Sequence, residues 1–157
     1  MWVCRTGQKA MYLTAFLQES KIYLVWNGFN VDFHSLNSKQ EIRNLVSNEM
    51  GSNNHTSVSN WTGQLMAFYK EMRIGEYVVI PHAKSHDYTL AMIAGDYVFE
   101  KDSSTGLHHS RKITVVKVGV PKTAFTQSQI YSMGAYRTVF KVKHEEEILD
   151  VFQKWDK

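Results

Sequence analysis

Catalysis or metal binding in this chain would have to be built from seven histidines, one cysteine and 15 acidic residues. His144-Glu145 opens like a metal-binding helix, but no second His follows four residues later, so two imidazoles never share a helical face there. The run Glu145 to Glu147 fits the positive end of a helix dipole instead. His108 and His109 are adjacent, and adjacent side chains of extended backbone point to opposite faces, so the pair alone does not chelate one ion. Cys4, beside Val3 in a strand-like run, reads as a small core residue rather than a nucleophile, and a lone cysteine forms no internal disulfide. The sequence shows no Walker-type loop, dinucleotide glycine fingerprint, Gly-x-Ser-x-Gly elbow or Asp/Glu-plus-Lys nuclease constellation. No enzyme activity, metal or cofactor is therefore expected of these residues.

The elements that would position any site follow from periodicity. Trp2 to Arg5 reads as a first strand, Ala10 to Gln18 as a helix, and Ile22 to Trp26 as a buried strand stopped by Asn27-Gly28. Ser38 and Glu41 form a capping-box pattern ahead of a helix that Gly51 ends. Gly51 to Ser59 is polar and turn-rich, and Trp61, Leu65, Phe68 and Met72 then share one helical face. Beyond Gly75 the period becomes that of strands, at Tyr77 to Ile80, Thr89 to Ala94, Ile113 to Val118 and Val139 to Lys143. Lys84 to Asp87 reads as a tight turn, Glu100 to Lys112 as a longer loop, and Glu145 to Trp155 as a final helix. The order implies one α+β domain over residues 1–157, a mixed β-barrel flanked by helices.

Three stretches carry a resemblance. They are Met1-Trp2-Val3-Cys4-Arg5-Thr6-Gly7 with Ile22 to Gly28, then Asn60-Trp61-Thr62-Gly63-Gln64-Leu65 leading into Ile74 to Pro81, then Thr89 to Tyr97 with the two histidines, Arg111 and Gln129 to Tyr136. In order and spacing, over nearly the whole chain, they resemble the PUA-like superfamily that includes the EVE and YTH domains. The likeness is to the N-terminal modules of Mrr-type modification-dependent restriction proteins in particular. The resemblance implies a barrel that reads DNA by flipping one nucleotide into a pocket, commonly to sense methylation or another modification, and that targets a nuclease located elsewhere. The chain departs from the restriction modules at Val25-Trp26-Asn27, where Trp comes one residue early. In a strand that shift reverses a side chain's face unless a bulge absorbs it. The Trp26-Asn27 order is similar to the YTH domains, which keeps a reader of modified RNA as an alternative.

A flipped base needs an aromatic surface and a few amides or hydroxyls for its edge. Trp26 is the candidate surface, Asn27, Gln64 and Ser132 are candidate edge contacts, and Gly134 would admit close backbone approach. Tyr97 and Tyr131 are further aromatic candidates. Lys9, Lys84, His108, His109, Arg111 and Lys112 are candidates for phosphate contacts. Each has a structural alternative: Trp26 reads equally as core, Gln64 as a brace, and the cations as solvated surface. A rival of another class is a small enzyme using His82 or His109. A net charge of +3 is compatible with a polyanionic partner without requiring one, and no apolar run is long enough to span a bilayer, so a cytoplasmic protein without membrane contact is expected.

Overall fold

The computed structural model describes residues 1–103 and 105–156. Its seven strands are β1 (Trp2–Cys4), β2 (Lys21–Tyr23), β3 (Tyr77–His82), β4 (Asp87–Ile93), β5 (Val98–Phe99), β6 (His109–Pro121) and β7 (Val139–Lys141). The helices are α1 (Leu13–Glu19), α2 (Lys39–Met50), α3 (His55–Met66), α4 (Gln127–Ser132) and α5 (Glu145–Lys154). The strands form one curled half-barrel sheet in the order β2-β6-β4-β3-β1-β7, with β5 also paired to β6. β1 runs parallel to β3 and antiparallel to β7.

Strand alternation divides the buried side chains between two faces. Trp2, Cys4, Val78, Ile80, Ala91 and Ile93 join Phe16, Leu65 and Phe68 in one core, covered by α1, α2 and α3. Val3, Val79, Leu90 and Val120 join Phe125, Ile148 and Phe152 in the other, covered by α4 and α5. Among the described residues no helix is long and apolar enough to cross a membrane.

Several element boundaries differ from the sequence expectation, and three of the differences have a direct structural cause. β2 ends at Tyr23 rather than Trp26, because beyond a last bond from Leu24 N–H to the His109 carbonyl (3.1 Å) its partner strand has run out. The one-residue displacement of Trp26 therefore does not act through strand alternation. α3 begins at His55, inside the stretch expected to be turns, because the Asn54 side chain accepts the Ser57 N–H (3.0 Å) and caps it. β6 begins at His109 rather than Ile113, since β2 and β5 pair with its first residues.

Candidate functional site

The chain between α4 and β7 organises the site. Gln64, projecting from α3, accepts the N–H groups of Thr138 (2.9 Å) and Val139 (3.1 Å) on one amide oxygen and donates to Asn60 (2.7 Å). Trp26 donates its indole N–H to Thr138 Oγ1 (3.0 Å), and the Arg5 guanidinium donates to the Ala135 carbonyl (2.9 Å). Arg5 N–H also donates to the Thr138 carbonyl (2.8 Å). With its backbone pinned from both sides, the segment leaves Tyr136 and Arg137 standing in solvent, Tyr136 wholly so.

A cleft lies on each side of that ridge. The narrow one, about 460 Å³, has Trp26, Val25 and Ala83 along it, with Arg5, Lys9 and Arg137 as its charged residues and, among the described residues, no carboxylate. Gly7 at φ +89 turns the chain there so that Lys9 reaches the cleft. Trp26 is half-buried and tilts against Phe29 at 5.4 Å between ring centroids, so its ring is held in place before any ligand arrives. Arg5 Nε is buried without a hydrogen-bond partner. The wide cleft, about 1400 Å³, runs between α3 and α4 along Gln64, Tyr131 and Ser132, with Arg137, Lys141 and Lys143 as its cations and Glu71 as its acid.

The candidate residues divide accordingly. Trp26 and Lys9 meet in the narrow cleft, and Gln64, Tyr131 and Ser132 in the wide one. Lys84 is exposed on the β3–β4 turn next to Ala83, at the narrow cleft's rim. Gln64 is mainly a brace, since its oxygen is fully used by β7. Asn27 is exposed but lines neither cleft. Gly134 also lines neither; a Cβ there would sit 3.0 Å from the Ile130 carbonyl, so this glycine serves the close end of α4 rather than a base.

Tyr97, His109 and Arg111 are corrected from pocket or phosphate contacts to core. His109 Nε2–H donates to the Phe29 carbonyl (2.6 Å), and Tyr97 O–H donates to His109 Nδ1 (2.6 Å) while accepting the Phe33 N–H (3.3 Å). With Nε2–H on a carbonyl, the neutral imidazole is left with Nδ1 as acceptor for Tyr97, and burial favours that neutral form, pulling the His109 pKa down from 6.5 to about 4. Phe33 stacks on the same ring at 4.0 Å. Arg111 donates to the carbonyls of Gly95 (3.0 Å), Phe68 (3.4 Å) and Met72 (2.5 Å), closing the π-helical turn Ala67–Glu71 that extends α3. His108, which donates to the Glu100 carbonyl (2.8 Å), and the exposed Lys112 lie by the sheet edge away from both clefts.

Arg5, Tyr136, Arg137 and Thr138 complete the site and were not singled out from sequence. Arg5 and Tyr136 stand inside the stretches that carry the family resemblance, which was the available signal. His82 bridges Asp87 (3.0 Å) and the Thr89 hydroxyl (2.7 Å), the layout of a base between an orienting acid and a nucleophile, but Thr89 has no solvent exposure to meet a substrate. Cys4 is buried and its thiol pKa is pushed up by that burial. Among the described residues no group of three or more His, Cys, Asp or Glu is placed to hold a metal ion.

A family model described as a domain of unknown function, DUF8426, matches residues 2–143, a span that contains every residue of both clefts. No curated protein matches the chain. Among solved structures, the NMR structure of Rpa0253 from Rhodopseudomonas palustris is similar at 14% identity, covering 99% of this chain and 94% of that one with a TM-score of 0.45.

Proposed function

The chain belongs to the DUF8426 family, and from the narrow cleft we propose that it is a nucleic-acid recognition module that takes one flipped base against Trp26. One observation carries this reading: a pre-held indole lines a base-sized cleft whose charged residues are all cations, Arg5, Lys9 and Arg137. Base–aromatic stacking supplies affinity without sequence preference, and the cations hold the flanking phosphates. Val25 and Ala83 give the cleft an apolar wall, which favours a base carrying a methyl group over its plain counterpart.

On this reading the half-barrel is a PUA/EVE-like frame, the partner is DNA with a modified base, and cutting belongs to a fused or separate nuclease. Reading a modified RNA base is the alternative within the same chemistry. Oligonucleotide turnover by the chain, lost on His82→Ala, would replace the reading with the enzymatic one.

A binding panel tests it, using DNA and RNA strands with unmodified, methyladenine, methylcytosine and hydroxymethylcytosine bases. Trp26→Ala is expected to weaken the preferred strand by about 1–3 kcal/mol, and the plain strand by less. Melting of the same preparation shows whether the variant is folded. A folded variant with unchanged affinity and discrimination removes the base from this cleft.

A further inference from the structure

A third cleft, about 480 Å³, opens between α2 and α3. It shares Ser59, Gly63 and Glu71 with the wide cleft, as the wide cleft shares Tyr136 and Arg137 with the narrow one. We infer that the three form one continuous basic groove that binds a single-stranded polynucleotide several residues long, passing over Gly63 of α3. The inference rests on the nucleic-acid reading above and extends it from one base to a strand.

Charge is the first support. The third cleft adds Lys39, Arg43 and Lys70, so among the described residues the groove holds eight Lys and Arg against the single carboxylate of Glu71. The whole chain is nearly balanced, 18 against 15. Among the described residues none of the eight forms an ion pair with a carboxylate. Arg43 bonds instead to Ser59 and His55, Lys70 lies over the Tyr69 ring, and Lys141 lies over Trp2. A path of cations outside direct carboxylate ion pairs, with exposed aromatic rings at Tyr136 and Tyr131, is what a strand of phosphates and stacking bases requires.

Gly63 is the second support. It sits mid-helix in α3, exposed, where glycine weakens a helix relative to alanine. No packing demands it, because a Cβ there would meet nothing within 4 Å. It lies where the wide and third clefts join, so the missing side chain lowers the saddle between them for a ligand's backbone.

Fluorescent mono-, tri- and decathymidylate, with oligouridylate arms and polyglutamate as a polyanion control, test the groove. Affinity is expected to rise at least tenfold from trimer to decamer. Gly63→Ala is expected to raise the melting temperature yet weaken the decamer severalfold, leaving the mononucleotide unchanged. Lys39→Gln with Arg43→Gln should do the same to the decamer without the gain in stability. The uridylate arm changes the sugar together with the base methyl group, and a length-dependent gain on either strand supports the groove. Trp26-dependent mononucleotide binding with no gain in length overturns the groove and leaves the single-base reading standing; no binding at any length overturns both. A stabilised Gly63→Ala with full decamer affinity, or polyglutamate binding as well as the decamer, also overturns the groove.

Discussion

At the scale of single residues, the side chains read for function divide by where they lie. His109 and Tyr97 are the residue types a binding site uses, yet they satisfy each other inside the core, between the Phe33 N–H and the Phe29 carbonyl. Nothing in a His-His dipeptide tells which ring goes inward; that was set by β5 and β6 pairing through His109, a non-local event. Its buried neutral state has a consequence in pH. The folded His109 has a pKa near 4 against 6.5 when unfolded, so between those values the unfolded chain binds more protons and stability falls as pH falls. The contribution is fully present above about pH 6.5 and is lost progressively toward pH 4, by about 3 kcal/mol. Urea unfolding at stepped pH should show this decline, and His109→Gln should flatten that part of it. An unchanged pH profile in a folded His109→Gln would show that another group titrates there. Trp26, by contrast, keeps both faces that its type and position allow: it packs against the core beside Phe29 and also lines the narrow cleft, with its indole N–H on Thr138.

At the scale of elements, hydrophobic period located most of the segments and long-range partners moved their ends. The final helix and the Ala83 to His86 turn lie where their patterns placed them, and each strand expected after Gly75 is present, although β6 runs beyond its expected span at both ends. α3 starts six residues before Trp61 with Val58 as the single apolar residue of that stretch, too sparse a pattern for periodicity to read as helix. α4 carries a full capping box, Thr126 with Gln129, a signal present in the sequence but not used there. Arg111 shows the cost of reading charge as loop. Its guanidinium serves two carbonyls at the end of the extended α3 and that of Gly95 after β4, so Arg111→Ala removes this donor from all three and should destabilise the protein by roughly 3 kcal/mol or more. Lys112, its exposed strand neighbour, should tolerate alanine within about 0.5 kcal/mol. Equal losses from the two substitutions in chemical denaturation would contradict the assignment of Arg111 to the core.

At the scale of the whole molecule, a net charge of +3 conceals the arrangement. The groove's cations come from positions as distant as Arg5, Arg43 and Lys143, and no sequence window contains more than a few of them. Folding gathers them by laying α2, α3 and the Ala135–Val139 segment side by side, while most carboxylates lie elsewhere, as on α5. The physical sign of such a gathering is counterion release. If three to five phosphates are neutralised along a single strand, log K against log salt should slope by roughly −2 to −3.5. Each groove cation that touches phosphate should contribute about −0.7 to that slope, so Lys141→Ala should make it shallower by that amount. Lys112→Ala, outside the groove, should leave the slope as it is, whereas a general surface attraction would respond to both alike. Titrations of decathymidylate at stepped salt concentrations therefore separate a track of specific cations from a merely basic protein. Equal slopes for the two variants would dissolve the groove into bulk charge.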